Sequence, residues 1–414
     1  MLTTFYPPYN FGGDGIGVQR FSQALARRDH YVTVLQDIDG FKYLNGGTEP
    51  SPDKNSDGVE VIRLHSRLRT LSALLTQQTG RPVIQGRRIR QILSGGRFDV
   101  INFHNISLVG GPGILSAGSA LKLYMAHEHW LVCASHVLWR HNREACTGKQ
   151  CLRCVLRYGR PPQAWRYTTY LNRQLEHVDA FIAMSEFSRD KHHEFGFPHQ
   201  MEVVNYFLPE APHREPVPQT ESPHPRPYFL FVGRLERIKG LDDIIPVFRD
   251  YKDADLLVIG DGEYAPTLQR LAAGIPTIRF LGRLGPDALD RYYHHALALI
   301  VPSIGFETFG IILIEAFRQS TPVIARRIGP FPEIVRHCGG GELFSGTQEL
   351  IQVMRRIQSE PLLRQRLARS AYEGFVKYWS ESAVIPQYLD VVYRTALAKG
   401  RTDIARKLEA GAVA

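Results

Sequence analysis

Two glutamates separated by seven residues, Glu307 and Glu315, stand where a buried strand meets an apolar helix. The apolar run 297–301 predicts the strand, and the pattern beyond a Pro/Ser/Gly turn predicts a helix from about Phe309. The start of a helix offers free backbone N–H groups and a positive dipole end, which suit a phosphate. A carboxylate in an apolar helix is costly to bury alone, so we expect Glu315 to have a dedicated partner. Acceptors beside an anion site fit a ligand rich in hydroxyls and phosphates, such as a nucleotide sugar.

Two cations, Arg234 and Lys239, flank the turn after another predicted strand, 228–233. Arginine makes bidentate phosphate contacts and lysine supplies a mobile point charge. Together they can neutralise a leaving diphosphate, as a metal ion does in other enzymes. Residues at the ends of two further strands are expected to border a nucleotide base: Gly260, Gly262, Arg283 and Leu284.

The first half of the chain carries a glycine-rich loop, 6–17, and then a predicted helix over 18–28. Glycines let a backbone approach a ligand closely, and a helix start can hold phosphate. The loop lacks the third glycine of a dinucleotide fingerprint, because Val18 stands there, and it lacks the Lys-Ser/Thr of a phosphate loop. The strand before it is short.

Polar side chains follow several predicted strands of this half. His104 and His127 each come at the end of a strand, with Glu128 and His129 as weaker candidates beside His127. Ser185 ends a further strand, where it either caps the next helix or faces a ligand. A basic helical face over 82–93 is expected to be solvated, with contact to a lipid or an acidic acceptor as the alternative.

These motifs together resemble the retaining glycosyltransferases of family 4, which have the GT-B fold. The resemblance rests on the glutamate pair and on four further motifs in the same order: 231–240, 258–262, 280–283, and 321–325 with Gly329 and Glu333. It implies two doubly wound Rossmann-like α/β domains facing across a cleft. It also implies a C-terminal helix, at about 380–400, that crosses back to the first domain.

The resemblance also implies residue roles. The expected catalytic group is His127, near the donor sugar, with Glu307, Arg234 and Lys239. The expected donor site comprises Gly12, Gly13, Arg234, Lys239, Gly260, Gly262, Arg283, Leu284, Glu307, Thr308, Phe309, Gly310, Ile311 and Glu315. The expected acceptor side comprises His104, Glu128, His129 and Ser185.

Four of the five cysteines fall in one arginine-rich loop, as Cys133, Cys146, Cys151 and Cys154. Clustered cysteines in a cytosolic chain favour a metal over a disulfide, and four thiolates would form a closed structural zinc site. Free or redox-paired thiols and an iron–sulfur cluster are the alternatives. The loop is an insertion relative to simpler family members.

A chain of 414 residues is expected to form two domains. We predict a first domain over 1–208, with the cysteine loop at 131–160, a proline-rich linker over 209–227, and a second domain over 228–379. No apolar run reaches the roughly 20 residues of a membrane span, and no leader pattern is present. A cytoplasmic location is expected. The net charge of +9 favours anionic partners, including lipid headgroups at the inner membrane face, while its dispersal disfavours nucleic acid.

The sequence therefore predicts a retaining hexosyltransferase that needs no metal or cofactor for catalysis. The expected donor is a nucleoside-diphosphate sugar, with UDP preferred to GDP. The expected acceptor is a saccharide or lipid-linked saccharide of the cell envelope. A sugar-nucleotide epimerase on the same fold and a non-catalytic binding or scaffold protein are the alternatives.

Overall fold

The computed structural model describes residues 1–44, 50, 58–68, 70–96, 98–210 and 221–411. The chain forms two compact units. The N-terminal unit comprises Met1–Val137, Gly148–Tyr206 and Val384–Ala414, and the C-terminal unit comprises Leu138–Thr147 and Phe207–Ala383. The division falls beside the predicted end of the first domain at 208. Residues 211–220 of the predicted linker lie outside the described residues.

The strands of both units are short and mostly buried. In chain order they are β1 (Leu2–Thr3), β2 (Val32–Asp37), β3 (Val59–Leu64), β4 (Val100–Phe103), β5 (Leu121–Ala126), β6 (Trp139–Arg140), β7 (Glu144–Ala145), β8 (Ala180–Ala183), β9 (Met201–Val203), β10 (Tyr228–Val232), β11 (Asp255–Ile259), β12 (Ile278–Gly282), β13 (Leu299–Val301), β14 (Val323–Arg326) and β15 (Gly341–Phe344).

The α-helices alternate with these strands and are the longest towards the end of the chain. They are α1 (Gly13–Ala26), α2 (Ile38–Leu44), α3 (Thr70–Thr79), α4 (Gly86–Gly95), α5 (Cys151–Arg157), α6 (Tyr170–Leu175), α7 (Glu186–Glu194), α8 (Ala265–Leu271), α9 (Pro286–His295), α10 (Ile311–Arg318), α11 (Phe331–Cys338), α12 (Thr347–Ser359), α13 (Pro361–Tyr378), α14 (Glu381–Ala398) and α15 (Thr402–Gly411).

The N-terminal unit is built on a seven-stranded sheet in the order β3-β2-β1-β4-β5-β8-β9, and its neighbouring strands are parallel. Parallel strands covered by helices on both faces are buried along their whole length, as β2 and β5 are, although both carry polar or charged side chains. The strand order reverses between β1 and β4. Ligands of such sheets bind beyond the carboxyl ends of the strands at this reversal.

The C-terminal unit repeats this plan with a six-stranded parallel sheet in the order β12-β11-β10-β13-β14-β15. Its central strands β10 and β11 are buried at every position. The order reverses between β10 and β13. The predicted doubly wound α/β architecture is confirmed in both units.

Helix α14 returns the chain to the N-terminal unit, because its residues from Val384 onward belong to that unit. Tyr388 on this helix packs edge-on against Phe21 with 4.6 Å between ring centroids, and it accepts a hydrogen bond from the Asn102 side chain at 3.3 Å. The predicted return of a C-terminal helix to the first domain is therefore confirmed.

Several local predictions are wrong. Helix α1 begins at Gly13 rather than at Val18, so the glycines occupy its first turn. The Ala/Gly content and alternating charges of the tail beyond Gly400 predict a frayed end, but Thr402–Gly411 forms α15, whose apolar face buries Ile404 and Ala405. Within the predicted cysteine loop, the hairpin of β6 and β7 belongs to the C-terminal unit.

Candidate functional site

The polar site of the C-terminal unit lies at the reversal of its sheet, where loops leave β10 and β13. Lys239 ends a short 3-10 turn after β10, and Glu307 lies in the loop after β13. The Lys239 ammonium lies 2.8 Å from Oε1 of Glu307, and Ser303 donates a hydrogen bond to the same oxygen at 2.8 Å. The side chains of Lys239 and Glu307 are about one-fifth exposed. The site therefore offers a cation and a carboxylate that are already in contact.

Gly240 explains how the two loops come so close. Its φ of 68° is left-handed, and a Cβ on it would lie 2.3 Å from the carbonyl oxygen of Pro302. The two loops also share a backbone hydrogen bond, from Ile304 N to Ile238 O at 2.9 Å. A side chain at 240 would push the loops apart, so the glycine sets the spacing of the Lys239–Glu307 pair.

The charge state of Glu307 follows from its neighbours. Burial alone would raise its pKa, but the Lys239 ammonium, the Ser303 hydroxyl and the more distant Arg234 outweigh burial and lower the pKa below its ordinary value. Glu307 is therefore an ionised acceptor at neutral pH. Arg234 is exposed and pairs with Glu236 at 2.9 Å. Arg234 can turn to a ligand anion because a surface pair of this kind is weak.

Helix α10 starts directly beyond Glu307. Gly310 precedes it with φ 114°, and Phe309 is buried beneath it at 1% exposure. Thr308 and Ile311 complete this helix start, where the backbone N–H groups and the positive end of the helix dipole suit a phosphate. The predicted anion-binding element is thus next to the predicted cation.

Glu315 lies one turn further along α10 and is half-buried. The hydroxyl of Tyr293 on α9 donates a hydrogen bond to its Oε2 at 3.1 Å. Burial and the Glu315 carboxylate raise the pKa of Tyr293 well above its ordinary range, so the phenol stays protonated and donates. This tyrosine is the partner that the apolar surroundings of Glu315 required.

The strands beside β10 contribute the other predicted donor residues. Gly260 follows β11 with φ 137°, and a Cβ on it would lie 1.9 Å from the carbonyl oxygen of Gly233. A Cβ on Gly262 would lie 2.5 Å from the carbonyl oxygen of Leu235. Arg283 and Leu284 follow β12, with Arg283 exposed. All four residues lie at the same carboxyl edge as Lys239 because their strands are parallel.

In the N-terminal unit, the adjacent strands β4 and β5 end in His104 and His127. His104 Nδ1 and His127 Nε2 are 2.8 Å apart, and the other ring nitrogen of His127 hydrogen-bonds the Tyr206 hydroxyl. Burial lowers the pKa of His127 to about 4, against a weaker opposing effect of Asp14. Burial and then His127 lower the pKa of His104 well below its ordinary value. The three side chains therefore form an uncharged hydrogen-bonded row.

Helix α1 borders this row. A Cβ on Gly17 would lie 2.6 Å from the Tyr206 ring, so the absent side chain makes room for that ring. Gly12 and Gly13 stand at the start of α1, where Asn10 donates to the Gly12 carbonyl at 2.7 Å. Asp14 in the same turn is the acidic neighbour that acts on His127.

The remaining predicted acceptor residues have structural partners. Glu128 pairs with His136 at 2.8 Å. His129 is 1% exposed and stacks on His192 with 5.2 Å between ring centroids. Ser185 is fully buried and accepts from the Ser188 amide at 3.0 Å, which caps α7. His129 and Ser185 are thus poorly placed to touch an acceptor, because neither reaches solvent.

The zinc site expected of the cysteine loop is not found among the described residues. Cys133, Cys151 and Cys154 belong to the N-terminal unit and Cys146 to the C-terminal unit. Within the described ranges, no group of three or more His, Cys, Asp or Glu side chains is placed to hold a metal ion. None of the five cysteines forms a disulfide.

Ser303, Tyr293 and Tyr206 are the partners that sequence reasoning missed. Each contacts a predicted residue through its side chain, and each lies outside the motifs quoted for its role. Only the contact of Ser303 with Glu307 could have been predicted from the sequence, because Ser303 lies four residues before Glu307 in the same loop.

Comparisons with known proteins agree with this geometry. The family model described as Glycosyltransferase Family 4 matches residues 11–208, and the model described as Glycosyl transferases group 1 matches residues 214–374. A glycogen synthase of Mycobacterium tuberculosis is 25% identical over 90% of this chain and 88% of its own.

Other curated relatives match over shorter stretches. A sulfoquinovosyl transferase of Arabidopsis thaliana is 29% identical over 37% of this chain and 31% of its own length. A phosphatidyl-myo-inositol mannosyltransferase of Mycobacterium leprae is 29% identical over 41% of this chain and 47% of its own length. The chain thus spans less than half the length of these two relatives.

Solved structures share the fold across nearly the whole chain. A sucrose-phosphate synthase of Thermosynechococcus elongatus superposes with a TM-score of 0.72 at 19% identity, covering 96% of this chain and 98% of its own. The Anabaena protein HepE, solved in complex with UDP, superposes with a TM-score of 0.63 at 16% identity. The superposition covers 94% of this chain and 98% of HepE. With both family models matched in order and a doubly wound α/β sheet in each unit, the chain belongs to glycosyltransferase family 4 and has its GT-B fold.

Proposed function

We propose that this protein transfers a sugar from a nucleoside-diphosphate sugar to an acceptor, with retention at the anomeric carbon. The observation that carries the proposal is the Lys239–Glu307–Ser303 cluster beside the start of α10. It combines a cation and helix amides for a diphosphate with a carboxylate for hydroxyl groups. Few other ligands need that combination at one sheet edge.

Lys239 and Arg234 would neutralise the diphosphate as it leaves, so this chemistry is assigned to the protein's own cations. The amides at Phe309 and Gly310 would hold its oxygens. Glu307 would accept from sugar hydroxyls, and Glu315, held by Tyr293, from the ribose hydroxyls. His127, neutral and fixed by two hydrogen bonds, would contact the transferred sugar.

UDP is the proposed nucleotide. Its support is the family resemblance together with HepE, which has been solved with UDP and with UDP-glucose.

The proposed acceptor is a saccharide or lipid-linked saccharide. Its support is the names of the matched relatives, which include a phosphatidyl-myo-inositol mannosyltransferase and a glycogen synthase. No helix in the described ranges is long and apolar enough to cross a membrane. The proposed site of action is the cytoplasmic face of a membrane or the cytoplasm itself.

A thermal-shift panel with UDP, GDP and ADP, each with and without common sugars, tests the donor site. A ligand at about a hundred times its Kd stabilises the native state by about 2.7 kcal/mol, which raises Tm by several degrees. A shift with UDP alone supports the proposal. The same shift in Lys239→Ala would place UDP elsewhere, and no shift with any nucleotide would refute the proposed donor site.

Product analysis then separates transfer from epimerisation. An epimerase would change the UDP-sugar without an acceptor, whereas the proposed transferase releases UDP only as a new glycoside forms.

A further inference from the structure

The N-terminal unit contains a cavity of about 730 Å³ that the transfer site does not use. Tyr31 stands just before β2, Glu60 lies near the start of β3, and Phe98 precedes β4. The cavity therefore lies at the amino ends of the parallel strands, whereas His127 follows a carboxyl end. Strands of six residues separate the two ends by about 20 Å. A ligand in the cavity is distinct from one that touches His127.

One wall of the cavity carries a carboxylate in a fixed position. The Tyr31 hydroxyl and the Thr33 hydroxyl both donate to Oε2 of Glu60, at 3.2 and 2.9 Å. These bonds join the first residues of β2 to β3 and hold the carboxylate at the cavity wall. Glu60 itself is exposed, so it can accept further hydrogen bonds from a ligand.

The facing wall is helix α4, which supplies donors. Arg88 and Gln91 line the cavity and are exposed. Arginine brings only N–H donors, and glutamine brings both a donor and an acceptor. Among the described lining residues, Glu60 and Arg88 supply a charge of each sign, and Gln91 can pair with either end of a hydroxyl group.

Aromatic rings complete the lining. The Tyr31 side chain is 83% exposed, which is unusual for so large a ring, yet its hydroxyl is held by Glu60. Phe98 is half-buried at the same cavity. A restrained ring face offers apolar area at little cost in conformational entropy.

We propose that this cavity binds a neutral saccharide of about disaccharide size. Sugar hydroxyls match the mixed donors and acceptors, and the C–H face of a pyranose matches an aromatic ring. An anionic ligand would be repelled by Glu60 as it is attracted by Arg88, and the reverse holds for a cation, so a net charge on the ligand gains little. A purely apolar ligand would desolvate both charges without replacing their hydrogen bonds. The volume lies within the usual range of ligand pockets.

Direct binding of maltose, sucrose, lactose and cellobiose to the full chain tests the site, by calorimetry up to about 20 mM, the range of weak ligands. At least one disaccharide should saturate the protein. Its affinity should fall about tenfold in Tyr31→Ala and in Arg88→Ala. Arg87→Ala is the matched control, because Arg87 is exposed on the same helix outside the lining. The affinity of Arg87→Ala for the same disaccharide should be unchanged.

Gly95→Trp provides a second test that leaves the lining side chains intact. Gly95 lines the cavity, and a Cβ on it would meet no atom within 4 Å, so the added ring enters open space. It should abolish binding while Tm stays within a few degrees. The proposal is overturned if no disaccharide saturates, if Arg87→Ala and Arg88→Ala lose affinity equally, or if glucose 6-phosphate binds more tightly than the neutral sugars. The inference does not depend on transferase activity, because the readout is binding alone.

Discussion

Lys239 Nζ and Glu307 Oε1 are 2.8 Å apart, and Ser303 donates to the same carboxylate oxygen. The cation assigned to the diphosphate is thus paired before any donor arrives. The pairing keeps Lys239 extended towards the start of α10 instead of in solvent. A diphosphate would join this pair and share the ammonium, which has three N–H donors.

Lys239→Ala should lower kcat by about a hundredfold to a thousandfold, because it removes charge from the transition state. Its unfolding free energy should change by about 1 kcal/mol at most, since a partly exposed ion pair contributes little. Turnover assays and denaturant unfolding on the same preparation measure both. Arg237→Ala is the control, as an exposed cation two residues away. Equal catalytic losses in the two variants would exclude Lys239 from the diphosphate site.

Glu315→Gln should raise KM for the donor about tenfold to a hundredfold with a smaller effect on kcat. The reason is that a hydrogen bond to a charged acceptor contributes about 1.5–3 kcal/mol. Tyr293→Phe keeps the carboxylate and removes only the 3.1 Å bond that orients it. Its rise in KM should therefore be smaller. An unchanged donor affinity in Glu315→Gln would disprove the ribose role.

Stability should fall in mild acid. Burial lowers the pKa of His127 and of His192 to about 4, while an unfolded histidine titrates near its ordinary 6.5. The unfolded state therefore gains protons first, and stability is complete above about pH 6.5 and lost as the pH falls towards 4. Each group contributes on the order of 1–2 kcal/mol of this loss by pH 5.

Urea unfolding at pH 7 and pH 5 measures the effect. His192→Gln should reduce the difference between the two pH values, and His65→Gln, at an exposed position, should leave it unchanged. A pH dependence that is the same in both variants would contradict the argument.

Gly260→Ala should destabilise the C-terminal unit by about 3 kcal/mol, because the new Cβ meets the Gly233 carbonyl at 1.9 Å on a backbone with φ 137°. Gly274→Ala is matched in having a positive φ, 78°, but its Cβ meets nothing within 4 Å. It should cost about 1 kcal/mol. Calorimetric unfolding compares them, and similar values would mean that the close approach of β10 and β11 relaxes easily.

The architecture was predictable because its signals are local. The buried strand β10 is a continuous apolar run, and the short spacing of Glu307 and Glu315 places both at one strand–helix turn. The family motifs lie within such turns, so they placed Lys239 and Glu307 correctly at one end of the sheet.

The partners were harder to predict because they join distant parts of the chain. Tyr206 lies 79 residues from His127, and nothing in the sequence around it marks the contact. The cysteine loop shows a further difficulty, because close spacing in the sequence suggested a zinc site that is not found among the described residues. The hairpin that carries Cys146 packs with the other unit, and local spacing cannot reveal such a choice.

The route of the chain also affects how the protein is made. Leu208 donates a backbone hydrogen bond to Trp379 at 3.0 Å, so the C-terminal unit closes on itself between its two ends. The N-terminal unit cannot be completed until Val384–Ala414 has been synthesised. At about 5–20 residues per second, the intervening Phe207–Ala383 takes on the order of 10–35 s to translate. During that time Tyr388 is not yet available to cover the ring of Phe21, and transiently exposed apolar surface of this kind favours aggregation.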